Sequence, residues 1–107
     1  MTQPECLFCD YTNTENHTLI TEDEMAYGRW DNFPASEGHA EIIPKRHVES
    51  YFDLHEGEVV ALYSLAKAVR AKIDELYHPD GFTIGVNEGR TAGRTVDHVH
   101  LHLIPRY

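Results

Sequence analysis

With 107 residues the chain has room for one hydrophobic core, and it reads as a single domain over residues 1–107. Hydrophobic residues at 41% and charged residues at 25% give the balance of an ordinary globular protein, which excludes disorder except near the first few residues. The excess of 18 acidic over 9 basic residues, a net charge of -9, excludes a general nucleic-acid or anionic-membrane surface, and no apolar run approaches the roughly 20 residues of a membrane span.

In chain order, the polar start Met1-Thr2-Gln3-Pro4-Glu5 carries no signal-peptide pattern, so a cytoplasmic protein is expected. Cys6 and Cys9 then form one C-x-x-C, where a reducing compartment favours metal binding or redox chemistry over a structural disulfide. Segments 18–21, 24–29 and 39–43 have strand character, broken by turn-formers such as Asn32-Phe33-Pro34. From Val59 the apolar residues recur on one face at a 3.6-residue period, through Leu62, Tyr63, Ala66, Val69, Ile73, Leu76 and Tyr77. Asp53, with Glu56 three residues on, marks the start and His78-Pro79-Asp80-Gly81 the end, predicting a helix over about 55–77. Two further strands follow at 82–87 and 97–104. The order is that of an α+β fold, a five-stranded antiparallel sheet with one long helix on one face, and its open edges make a homodimer plausible.

The last strand carries the chemistry. In His98-Val99-His100-Leu101-His102-Leu103-Ile104 imidazoles alternate with aliphatic residues, so a period of two sets the histidines on one face about 6.5–7 Å apart and the aliphatic side chains on the other. A neutral imidazole is nucleophilic near pH 7 and is oriented by a hydrogen bond from its second nitrogen. The plain alternative is a solvated strand face or an adventitious metal patch. What favours chemistry is the neighbouring loop Asn87-Glu88-Gly89-Arg90-Thr91-Ala92-Gly93-Arg94-Thr95, with the backbone N–H groups, hydroxyl and guanidinium groups that phosphate oxygens need. Lys45 and Arg46 fall in residues 44–47 and Arg90, Arg94 and Arg106 in residues 87–106, a gathering of cations that suits a small anionic ligand.

The run from Asn87 to Arg106, with Ala92-Gly93-Arg94-Thr95-Val96 leading into His98-Val99-His100-Leu101-His102, resembles the signature of the histidine-triad (HIT) proteins, which include the Hint and Fhit branches. Cys6-Leu7-Phe8-Cys9, Trp30-Asp31-Asn32-Phe33-Pro34, Gly38-His39 and Ile42-Ile43-Pro44-Lys45-Arg46-His47 match the other family segments in order and spacing. The resemblance implies a dimeric hydrolase that cleaves a purine nucleotide at its α-phosphorus, in phosphoramidates or dinucleoside polyphosphates, through a nucleotidyl-histidine intermediate with an AMP-like product. His100 would be the nucleophile, and His102 would bind a phosphate oxygen or the leaving atom. Asn87, Gly93 and Thr95 would line the phosphate pocket, with Arg94, where many members have Gln, reaching a more distant phosphate or solvent. Asp31 would hold the ribose, and Trp30, Asn32, Leu7 and Phe8 are candidates for the base pocket, core packing being an equal or better reading of the last two. His98 would either position His100 through its backbone carbonyl or complete a structural zinc site, one per chain, with Cys6, Cys9 and His47. Free buried thiols or a redox pair are the alternatives there. His17, His39, His55 and His78 read as loop, turn or helix-surface residues outside the chemistry. A nucleotidyltransferase with the same intermediate, or a nucleotide-binding or zinc-stabilised interaction module with little turnover, are the rival functions.

Overall fold

Two periodicities in one short chain build a two-layer structure, in which a pleated sheet buries one face under an amphipathic helix. The computed structural model describes residues 5–107, so the polar start at residues 1–4 lies outside the described residues. Strands β1 (Leu19–Glu22), β2 (Ala26–Trp30) and β3 (Ala40–Pro44) precede helix α1 (Glu56–Tyr77), and β4 (Gly81–Val86) and β5 (Leu101–Arg106) follow it. They form one five-stranded sheet in the order β1-β2-β3-β5-β4, antiparallel at every pairing. The expected α+β class and strand count are the observed ones.

Alternation sorts the strands into two faces. Ala26, Ala40, Ile42 and Leu103 pack with Leu62, Leu65, Val69 and Ile73 of α1. Gly28 lies on this face too: a Cβ there would meet Val69 Cγ2 at 2.8 Å, so the helix approaches β2 at a distance that only glycine permits. On the other face Tyr27 and Ile43 are covered by Phe8 of the N-terminal segment, tied down by the Tyr27 hydroxyl donating to Phe8 O at 2.6 Å.

Two local expectations are corrected. The helix is capped by His55 rather than Asp53: the Glu58 carboxylate accepts from the His55 N–H at 2.8 Å, and Asp53 closes a separate 3-10 turn over Tyr51–Asp53. The last strand begins at Leu101 and not at 97, because the His98 N–H bonds back to Val96 O and the Val99 N–H donates across to Val48 O at 2.8 Å. His98 and His100 therefore stand before the ladder, and the three imidazoles do not share one regular strand face.

Candidate active site and metal centre

His100 is 3% exposed. Its Nδ1 lies 2.7 Å from the carbonyl oxygen of His98. A carbonyl only accepts, so the ring proton sits on Nδ1 and the lone pair is on Nε2. Burial lowers the pKa of His100, which keeps the ring neutral near pH 7. The edge of the Phe8 ring packs at 5.0 Å between centroids and limits ring rotation.

The tautomer of His102 follows from a chain of contacts that starts outside the motif. The Ala35 N–H donates to His39 Nδ1 at 3.0 Å, so a neutral His39 carries its proton on Nε2. That Nε2 is 2.9 Å from His102 Nδ1 and 3.5 Å from Asp31 Oδ2. Nδ1 of His102 is then an acceptor, and its proton sits on Nε2, free to donate. Burial first, then His100 and His39, push the His102 pKa down to about 4, with Asp31 opposing. His100 and His102 rings are 4.9 Å apart, one presenting a lone pair and the other an N–H. Such a pair attacks an electrophilic centre and donates to an atom bound to it.

The glycine loop is braced from within. The Asn87 side-chain amide donates to Ala92 O at 2.6 Å, and Gly93 has φ 99°, a left-handed conformation suited to glycine. Arg94 donates to Glu49 O at 2.8 Å and lies 3.2 Å from Asp97, so its guanidinium holds the loop to the 44–50 segment. The other gathered cations are paired as well: Lys45 pairs with Glu22, Arg46 with Glu58 and Arg90 with Asp97, while Arg106 donates to Thr83. An acidic chain supplies each of them with a nearby acceptor. Thr95 is exposed beside Leu7, His47 and Val96. Asp31 Oδ1 accepts from the Phe33 N–H, and Asn32 donates to Asn16 O, which fixes the loop after β2. Trp30 is placed away from this group, on the helix face edge-to-face with Tyr77.

A second cluster joins the two ends of the sequence. His98 Nε2 donates to Pro44 O at 2.7 Å, which leaves Nδ1 facing Cys6 Sγ at 3.5 Å and Cys9 Sγ at 3.6 Å. His47 Nδ1 is 3.3 Å from Cys9 Sγ. All four ligand atoms lie within 4.8 Å of one another. Tetrahedral zinc with bonds of about 2.0–2.3 Å separates its ligands by about 3.3–3.8 Å, so the donor set and most of its spacing fit that ion. The His98 side chain thus faces the cysteine cluster while its carbonyl accepts from His100.

The family model of the HIT domain matches residues 12–107. The chain belongs to the HIT family. It is 33% identical to an uncharacterised 16.1 kDa HIT-like protein of Mycoplasma pneumoniae over 100% of this chain and 75% of that one. Against the adenosine 5′-monophosphoramidase hnt1 of Schizosaccharomyces pombe it is 30% identical, over 94% of this chain and 74% of that protein. A bis(5′-adenosyl)-triphosphatase of Dictyostelium discoideum is 35% identical over 78% of this chain and 56% of its own length. Among solved structures, a HIT family protein from Bacillus anthracis superposes with a TM-score of 0.89 at 34% identity, covering 99% of this chain and 76% of that one. A zinc-bound histidine triad family protein from Mycobacterium smegmatis gives 0.82 at 32% identity, covering 96% and 76%.

Arg29 and Glu41 lie outside the motif segments of this HIT site, and His39, within the Gly38-His39 segment, has no role in the chemistry read from the sequence. His39 reads as a turn residue, yet it is 6% exposed and orients His102. Arg29 and Glu41, each 3% exposed, form a 2.8 Å ion pair on the site face. Arg29 is directly opposite Glu41 in the β2–β3 ladder, and Glu41 is directly opposite His102 in the β3–β5 ladder. The readable signal was a charged residue at an odd position in each of two otherwise apolar or aromatic strands. His17 is also buried, its Nε2 2.9 Å from Leu7 O.

Proposed function

We propose that this HIT protein is a single-domain nucleotide hydrolase that cleaves at the α-phosphorus of purine nucleoside phosphoramidates or dinucleoside polyphosphates. The observation that carries the reading is the complementary pair of tautomers, a buried His100 with a free Nε2 lone pair beside a His102 with an Nε2 proton. The relatives named as a phosphoramidase and a triphosphatase support the two substrate classes.

In the proposed reaction His100 Nε2 attacks phosphorus and the bond to the leaving amine or phosphate breaks. His100 keeps its Nδ1 proton against His98 O, so the intermediate is a nucleotidyl-imidazolium, a good leaving group for the second step. Water then attacks phosphorus, the P–N bond to His100 breaks, and a nucleoside monophosphate departs. His102 donates to the atom that leaves, Asn87, Gly93 and Thr95 form the phosphate pocket, and Asp31 with Asn32 holds the sugar. Arg94 stiffens the loop.

Cys6, Cys9, His47 and His98 are proposed to hold one zinc per chain. The ion would supply structural closure, tying the N-terminal segment to the backbone that carries His100. A homodimer is proposed through edge strand β4 and α1, where Ile84, Val59 and Tyr63 stand exposed around one cleft. Cys6 and Cys9, which are not joined in a disulfide, suit a reducing, cytoplasmic setting.

The test is alkaline-quench trapping of labelled nucleotide on the protein during turnover of an adenosine phosphoramidate, since the P–N bond to histidine survives base and is lost in acid. A covalent adduct at His100, absent from His100→Ala together with a loss of three or more orders of magnitude in turnover, is expected. Undiminished turnover in His100→Ala overturns the mechanism and favours the binding-module function.

A further inference from the structure

Departure of an amine demands a proton that neutral His102 cannot give from Nε2 unless Nδ1 gains one at the same time. Two carboxylates stand close enough to take part, Asp31 and Glu41. Asp31 is spoken for, since its Oδ1 accepts the Phe33 N–H, its Oδ2 faces His39 and its carboxylate is hydrogen-bonded to the Glu41 side chain. Glu41 is different. It sits on the strand position directly opposite His102, with Oε2 3.8 Å from His102 Nδ1, while its other oxygen is held by Arg29 at 2.8 Å. Arg29 is itself fixed, donating to Asn16 O at 2.9 Å and resting 5.3 Å from the centre of the Phe8 ring.

We propose that Glu41, clamped by Arg29, is a positioning residue that delivers a proton to His102 Nδ1 and takes it back in the hydrolytic half of the reaction. This rests on the nucleotidyl-transfer function proposed above. In the first half Glu41 Oε2–H passes its proton to His102 Nδ1, His102 Nε2–H passes its own to the leaving nitrogen, and the P–N bond to that nitrogen breaks as His100 bonds to phosphorus. Glu41 is left a carboxylate against the Arg29 guanidinium. In the second half water loses a proton to His102 Nε2, and the Nδ1 proton returns to Glu41, so the site ends as it began. His39 does not obstruct the transfer: when His102 Nδ1 ceases to accept, the His39 Nε2–H has Asp31 Oδ2 at 3.5 Å as its other acceptor.

At rest Glu41 is partnered by Arg29 and Asp31 and His102 Nδ1 by His39, and the transfer step, which closes the 3.8 Å between Glu41 and His102, lies on a row of side chains from three adjacent strands. Burial, and then the Asp31 charge, raise the Glu41 carboxyl to about 7, with Arg29 opposing, so the acid form is accessible near neutrality. The charged and titratable groups facing His102 are Asp31, His39, Glu41 and His100, with Arg29 behind Glu41; Gly85 of β4, opposite His102, adds none.

The experiment compares two substrates of the zinc-loaded protein, an AMP benzylamidate whose amine leaves only when protonated and an AMP p-nitrophenyl ester whose phenolate needs no proton. Glu41→Gln should lower the ratio of amidate to ester turnover by about 100-fold, the size of a general-acid contribution. The alkaline limb of kcat for the amidate should move to lower pH, because the Glu41–His102 pair must hold a proton and that proton is lost sooner without the carboxylate. If Glu41→Gln fails to fold, the neutral pair Arg29→Gln with Glu41→Gln carries the same two expectations. An unchanged ratio and an unmoved limb in a folded variant overturn this inference while leaving the His100 adduct standing. Absence of the adduct in the parent protein overturns both.

Discussion

Replacing Glu58 by alanine removes the carboxylate on which the start of α1 and the loop of the metal cluster meet. Glu58 is 2% exposed and accepts from Arg46 Nε at 2.9 Å, from Arg46 Nη2 at 2.8 Å and from the His55 N–H at 2.8 Å. Breaking a buried pair from one side costs about 3–5 kcal/mol when the other charge is stranded. Arg46 is not wholly stranded: its side chain is 32% exposed and still donates to Asp53 O at 3.0 Å, so water recovers part of the loss. Adding a lost helix cap of about 1 kcal/mol, a net cost of about 2–3 kcal/mol is expected. At roughly 4–8 °C per kcal/mol for a domain of this size, Tm should fall by about 10–20 °C. Arg46 adjoins His47, so bound zinc should also exchange faster than in the parent. The Arg46 hydrogen bonds hold the Glu58 carboxyl below its ordinary 4.5. Its stabilisation is therefore complete above the unfolded pKa and lost as pH falls through the lowered native value. Thermal melts at pH 7 and in the acid range decide the matter. A variant melting within about 2 °C of the parent would falsify the assignment of this pair as a structural joint.

Elemental analysis should return about one zinc per chain, and Cys6→Ser with Cys9→Ser should abolish it and lower Tm before it lowers turnover per folded molecule. Light scattering should give twice the mass of one chain at micromolar concentration, and Ile84→Arg, which sets a cation on the exposed edge strand, should shift the protein to monomer. Burial lowers the pKa of both His39 and His102, the latter to about 4, so the unfolded chain binds more protons below its ordinary histidine value of 6.5. Denaturant unfolding of the metal-free protein should accordingly show stability declining from about pH 6.5 toward 4. Gly28→Ala should cost about 1–3 kcal/mol by the same measurement, since its Cβ would press on Val69 Cγ2 at 2.8 Å.

Local pattern was enough for the elements and for the residue types of the site. The 3.6-residue apolar period placed α1 to within a residue, and alternation with turn-formers placed five strands, because both signals come from burying one side of a regular backbone. The alternation from His98 to His102 and the neighbouring glycine loop marked the candidate site, while the roles of its residues came from the resemblance to the HIT signature. Pairing across distance was another matter. Cys6 meets His98 over 92 residues, and Arg29, Glu41 and His102 form a row only because β2, β3 and β5 are neighbours in the sheet. The tautomers of His100 and His102 depend on a carbonyl and on the backbone N–H of Ala35, neither of which has a sequence signature. Sequence by itself thus determined the periodic faces and the triad, which are properties of consecutive residues. Only the tertiary structure decided which nitrogen holds each proton, which cations are already paired and which carboxylate stands beside His102, since those depend on strand register and on groups brought together by folding.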